Sequence, residues 1–169
     1  PFVPYGRHGV DAGGAAAGVD GGIAFQHMHR VIARLAQTLR ELVLGWRARH
    51  TDIDFELDLP TQLPDVGELL SLTVYRVVQE ALTNCARHAR AHQIRVMVHA
   101  APDRISFTVE DDGVGFVRRA GEGMGLTGAE ERVRELGGEL TIRSTPGRGT
   151  LLQAEIPVSA AEAGREALA

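Results

Sequence analysis

Between Asp52 and Leu59 the chain alternates without exception, with Ile53, Phe55, Leu57 and Leu59 on one side and acids on the other. A period of two is that of a strand with one face in the core and one in water. Upstream, Val31, Leu35, Leu39, Leu42, Val43 and Trp46 recur at helical intervals, which predicts an amphipathic helix over residues 31–46. Pro60 and Pro64 close the strand, and Asp65 is placed to cap a second helix. Leu70, Val74, Val77, Val78, Ala81 and Cys85 form the apolar stripe of that helix, which runs to about His88.

Two strands are expected around residues 94–99 and 105–111, turned by Ala100, Ala101, Pro102 and Asp103. Thr127 and Glu130 have the spacing of a capping box for a short helix that sends Val133 and Leu136 to the core and stops at Gly137 and Gly138. Strands over residues 139–144 and 150–157 join through Pro146 and Gly147. Helices mixed with one-sided strands predict an α+β fold, a two-layer sandwich of a mixed β-sheet and about three helices.

The ends differ from this middle. Residues 1–22 are rich in Gly and Ala without a period, as expected of a flexible lead or a vector remnant, and residues 159–169 read as a frayed tail. Residues 23–158 are left as one domain, and 169 residues with 44% hydrophobic content suit a single core. A net charge of −4 with scattered Arg argues against nucleic acid as a partner. The chain has no stretch of membrane-spanning length and no signal-peptide pattern, so a cytoplasmic location without membrane contact is expected, although a parent protein could be anchored in the inner membrane. The single cysteine, Cys85, excludes an internal disulfide and multi-cysteine zinc sites, and its place on the apolar stripe suits a packed core thiol. Of the histidines only His27 and His29 approach ligand spacing, and a polar approach to the next helix or vector sequence is the simpler reading. All 18 basic residues are Arg, which removes any mechanism built on a P-loop lysine or on the strand lysine of eukaryotic-type kinases.

The chemistry concentrates in residues 111–128, DDGVGFVRRAGEGMGLTG, directly after a predicted strand. A carboxylate at a strand end, Asp111, can accept from an adenine amino group, and Gly113 and Gly115 lack the Cβ atoms that would hold a base away. Gly121, Gly123, Gly125 and Gly128 free backbone amides to turn toward phosphate oxygens before a helix. A plain surface loop is the alternative that glycine spacing leaves open. On the preceding helix, Glu80, Asn84, Arg87 and His88 fall within an arc of roughly 100° beside the apolar stripe, at the rim of a buried face. A solvated helix edge could carry the same residues.

The strings YRVVQEALTNCARHA, DDGVGF, GMGLTGAEERVRELGGELTIRS and PGRGT, in this order over about residues 35–158, closely resemble the ATP-binding domain of bacterial two-component sensor histidine kinases. That domain belongs to the group that also holds DNA gyrase, a heat-shock chaperone and the MutL mismatch-repair ATPases. The strings are most similar to the subfamily paired with LuxR-type response regulators. The resemblance implies a Bergerat-type ATPase fold, ATP and Mg2+ as ligands, and a lid over about residues 113–126. It implies Asn84 as the protein ligand of a magnesium ion bridging the phosphates, and Glu80 as the group that orients or deprotonates the attacking group or its water. Arg87 and His88 match positions near the phosphates, without a choice between them. Asp111 matches the reader of the adenine amino group, with Gly113 and Gly115 admitting the base. Gly123 and Gly125 match the lid hinges, Leu126 lies beside them, and Thr150 matches a hydroxyl near the adenine-binding acid.

A kinase of this type transfers phosphate to a histidine on a dimerising helical hairpin, and in the family an acid normally follows that histidine. His8, His27, His29, His50, His88, His92 and His99 precede Gly, Met, Arg, Thr, Ala, Gln and Ala, and one helix rather than two is predicted before the first strand. The implied function is the Mg-ATP-binding catalytic portion of a longer kinase, donating its γ-phosphate to a dimerisation and phosphoacceptor segment elsewhere in the parent. Two alternatives are a serine kinase acting on an anti-sigma antagonist and a non-catalytic nucleotide- or partner-binding module.

Overall fold

The computed structural model describes residues 35–61, 63–117 and 126–158. Among these residues, three α-helices and five strands occur in the order α1 (Leu35–Arg49), β1 (Asp54–Asp58), α2 (Glu68–Asn84), β2 (Gln93–Ala100), β3 (Arg104–Asp111), α3 (Leu126–Glu135), β4 (Glu139–Ser144) and β5 (Thr150–Pro157). The strands form one mixed sheet in the order β1-β2-β3-β5-β4, with β1 parallel to β2 and every other pair antiparallel. The expected α+β architecture is therefore what the chain adopts.

Period-two alternation sorts each strand into a core face and an open face. Ile94, Val96 and Val98 of β2, Ile105, Phe107 and Val109 of β3, and Leu152, Ala154 and Ile156 of β5 are buried. They stand in register across the sheet, Val96 opposite Val109 and Val109 opposite Leu152. Leu39 and Val43 of α1, Leu70, Val74, Val77, Val78 and Leu82 of α2, and Ala129 and Val133 of α3 are buried in the same core. Removing a side chain of this size from water contributes about 1.5–3 kcal/mol, so the one-sided patterning drives the layers together. On the opposite face Glu56 accepts from Arg95 Nε at 2.6 Å and from Gln93 Nε2 at 2.9 Å, tying β1 to β2.

Several boundaries move, each for a local reason. The first helix runs to Arg49, with Trp46 stacked on His50 at 5.0 Å, while Val31 lies outside the described residues. Asp65 does not cap α2. Its Oδ1 accepts the Gly67 amide at 3.0 Å in a local turn, and Gly67, at φ 78°, is the residue that enters the helix. Residues 126–135 are already helical from Leu126, so Thr127 lies in the first turn of α3 rather than ahead of it, and the capping-box reading fails there. The end of α3 is as expected: Gly137, at φ 67°, and Gly138 donate to the carbonyls of Arg134 and Val133, a Schellman closure.

The larger departure comes after Asn84. There the helix passes into a π-helical turn, Cys85–Ala89, and Arg90 ends it in the left-handed region at φ 51°. The i→i+5 turn winds more slowly than an α-helix, so the side chains beyond Asn84 are rotated away from the bearings that α-helical geometry assigns to them.

Candidate functional site

Asp111 is the fourth inward position of β3, after Ile105, Phe107 and Val109. The alternation that buries those three also turns its carboxylate inward, and it is only 4% exposed. Asp112 takes the opposite side, where Oδ1 accepts the His92 and Gln93 amides at 2.8 and 2.9 Å. The Gln93 bond, with the His92 bond second, holds its carboxyl below the usual range. Two adjacent acids thus have separate duties, one facing a cavity and one pinning the start of β2.

The Asp111 carboxylate belongs to the wall of a cavity of about 130 Å³, together with the π-turn, Phe116, Leu126 and the sheet. Its Oδ1 accepts the Gly113 amide at 2.9 Å, and its Oδ2 accepts from Cys85 Sγ at 3.4 Å. Burial, reinforced by the Asp111 charge and hydrogen bond, pushes the Cys85 thiol well above its ordinary value, so it stays protonated as a donor. Cys85 is buried as its place on the stripe predicts, yet it is also part of the cavity wall, which the pattern of α2 did not reveal.

Thr150 stands opposite Asp111 in the β3–β5 register. Its hydroxyl lies 3.1 Å from Ser144 Oγ. Ser144 uses its single proton on the Gly149 carbonyl at 3.0 Å and accepts the Phe116 amide at 2.9 Å, which makes Thr150 the donor in the remaining contact. Sequence reasoning does not single out Ser144, because a serine at a strand end carries no signal of its own.

The glycines differ in what they do. A Cβ on Gly113 would sit 2.2 Å from the Ala89 carbonyl oxygen, so glycine is required there by the π-turn backbone and not by an approaching base. Gly115, at φ 60°, does border the cavity, but its Cβ would strike the Thr145 carbonyl at 2.1 Å. The segment is laced on both sides, with Val114 N–H donating to Ala89 O and Gly147 N–H to Val114 O, each at 2.7 Å. Gly149, which in the sequence is only part of a turn, has φ 75°, and a Cβ there would lie 1.9 Å from the Asp111 carbonyl oxygen. Gly121, Gly123 and Gly125 lie outside the described residues, and Gly128 falls in the first turn of α3.

The four polar residues of the α2 region do not share one edge. Asn84 and His88 border the Asp111 cavity together with Leu126 and Thr150. Glu80 and Arg87 line a separate open groove of about 410 Å³ with Arg76 and Arg132, and Asn84 borders both spaces. Arg132 of α3, which lies within one of the motif strings but is assigned no role by it, approaches Glu80 with Nη1 3.4 Å from Oε2. Among the described residues no cluster of three or more His, Cys, Asp or Glu side chains could hold a metal by itself. A divalent ion could be held beside Asn84 only where a ligand supplies most of the oxygens, which is the habit of magnesium with phosphates.

Comparison with known proteins bears on family and fold. The family model for histidine kinase-, DNA gyrase B- and HSP90-like ATPases matches residues 70–160. The signal transduction histidine-protein kinase/phosphatase UhpB of Salmonella typhimurium is 35% identical over 124 residues, 73% of this chain and 24% of that protein. DegS of Brevibacillus brevis, also a signal transduction histidine-protein kinase/phosphatase, is 34% identical over 97 residues, 56% of this chain and 25% of that protein. The chain thus spans about a quarter of the length of these curated relatives. Among solved structures, the histidine kinase domain of the Erythrobacter litoralis EL346 blue-light activated histidine kinase superposes with a TM-score of 0.69 at 22% identity, covering 82% of this chain and 71% of that one, a likeness of fold. With a family match over residues 70–160 and Asp111 in the wall of the cavity, the chain belongs to the histidine kinase-, DNA gyrase B- and HSP90-like ATPases.

Proposed function

We propose that residues 23–158 form the ATP-binding catalytic domain of a sensor histidine kinase, which binds Mg-ATP and donates the γ-phosphate to a histidine on a dimerising segment of a longer parent. The observation that carries this reading is the adjacency of two unlike spaces that share Asn84 in their walls: a small cavity lined by a buried carboxylate, and an open groove rich in guanidinium. Adenine suits the first and a polyphosphate suits the second.

In this reading Asp111 Oδ2 accepts from the adenine amino group, while Oδ1 is already held by the Gly113 amide. Thr150, a donor to Ser144, keeps lone pairs free to accept a hydrogen bond beside Asp111. His88 and Leu126 flank the nucleotide at the cavity, Gly115 borders the base, and Gly123 and Gly125 hinge the lid. Asn84 contributes its amide oxygen to the Mg2+ that screens the phosphate charge. Arg87 faces the phosphates from the groove, and Glu80 orients the acceptor. No covalent intermediate with this domain is needed; positioning and charge neutralisation carry the transfer. The motif strings further suggest a LuxR-type response regulator as the eventual phosphate recipient. No helix among the described residues is long and apolar enough to cross a membrane, and we place the domain in the cytoplasm.

Calorimetric titration with a non-hydrolysable ATP analogue, with and without magnesium, tests the reading. Saturable binding strengthened by magnesium is expected, and Asn84→Ala should remove most of that strengthening. A folded sample that binds no nucleotide would overturn the proposal.

A further inference from the structure

We propose that Arg132 reads the terminal phosphate of the nucleotide and exchanges its Glu80 partner for that phosphate on binding, so that the third phosphate releases Glu80. The inference rests on the nucleotide reading above. Arg132 Nη1 lies 3.4 Å from Glu80 Oε2, with the two side chains 45% and 26% exposed. An ion pair so open to water is weakly held and easily exchanged. It nevertheless spans the groove, joining α3 on one wall to α2 on the other.

The charge balance of the groove favours an anion of more than one charge. Arg76, Arg87 and Arg132 stand against Glu80 as the only carboxylate lining it among the described residues. Neither Arg76 nor Arg87 has an ion-pair partner among the described residues. Asn84 lines both the groove and the Asp111 cavity, so a nucleotide with its base against Asp111 would run its phosphate chain past Asn84 toward these guanidiniums. A guanidinium fork matches phosphate oxygens with two parallel bonds, where its present hold on Glu80 is a single contact. A diphosphate and a triphosphate share the base and the first phosphates. They differ in reaching Arg132, and only the longer one displaces Glu80.

The test is calorimetric titration, with magnesium, of the parent chain, Arg132→Gln, Arg132→Lys, Glu80→Gln and the Arg132→Gln/Glu80→Gln double variant, against ADP and an ATP analogue with an imido β–γ bridge. In the parent the ATP analogue should bind more tightly than ADP. Arg132→Gln should reduce that margin by about tenfold while leaving ADP affinity within about twofold, and Arg132→Lys, which keeps charge without the fork, should fall between. Glu80→Gln should widen the margin in the parent and leave it unchanged once Arg132 is Gln. Equal weakening of both ligands by Arg132→Gln would make Arg132 a strut between helices and overturn the inference. So would a parent that binds the two nucleotides alike, or an effect of Glu80→Gln that is indifferent to Arg132. A parent that binds neither would remove the nucleotide reading and this inference together.

Discussion

At Asp111 one carboxylate has two oxygens in different circumstances. Oδ1 is committed to the backbone amide of Gly113, and among the described residues Oδ2 meets only the soft thiol donor of Cys85 at 3.4 Å. A stronger donor arriving in the cavity therefore finds an acceptor that is positioned but not saturated. Asp111→Asn places an amide that can offer a donor against a donor, and nucleotide affinity should drop about tenfold or more by calorimetry. Unchanged affinity would take Asp111 out of the site. The thiol itself makes a pH prediction. Its pKa is raised above the ordinary value of 9.0, chiefly by burial, so the unfolded chain ionises it first. Its contribution is complete below pH about 9 and is lost at about 1.4 kcal/mol per unit as pH climbs above that. Chemical denaturation between pH 8.5 and 10 should show this decline in the parent and a shallower one in Cys85→Ala. The choice of Asp111 over Asp112 comes from strand alternation alone. The Cys85 contact and the Arg132–Glu80 pair join residues far apart in the chain, 26 and 52 positions, and no local pattern announces them.

Among elements, the strands and the three helices could be read from their periods because each has one apolar face, and β4 and β5 fall at the expected residues. The π-turn could not. CARHA contains ordinary helix formers, and what favours the wider turn is tertiary: Ala89 O takes the Val114 amide, and the Gly113 backbone packs against the same carbonyl. The turn between β4 and β5 shows how a glycine signal can be correct in place and silent on cause. Gly147 and Gly149 both have positive φ, but a Cβ on Gly147 meets open space, whereas on Gly149 it meets the Asp111 carbonyl at 1.9 Å. Gly147→Ala should cost about 1 kcal/mol for its backbone conformation. Gly149→Ala should cost about 2–3 kcal/mol and weaken nucleotide binding as well, because relief of the clash moves the strand end that carries Asp111. Equal denaturation midpoints for the two variants would contradict this.

For the molecule as a whole, layer architecture and site are one arrangement. The helices cover a single face of the sheet, and the cavity lies between α2, with its π-turn, and the ends of β3 and β5. A ligand held there touches both layers, so binding should stabilise the whole fold. With analogue at one hundred times its dissociation constant the gain is about 2.7 kcal/mol, on the order of 10 °C in melting temperature. A melting curve unmoved by saturating Mg-nucleotide would count against binding between the layers.

β3, which ends in Asp111, is the middle strand of five, paired with β2 along one edge and β5 along the other. Fraying begins at sheet margins and exposed turns, so the amides leading to Asp111 should be among the last to take up deuterium, exchanging only when the entire domain opens. The acid in the cavity wall is thus anchored in the slowest-opening part of the protein, while its proposed phosphate-side partners stand on helix surfaces where local opening is cheap. Variants that erode affinity for the base should also tend to erode solubility and lifetime, and those that change phosphate discrimination should leave both intact.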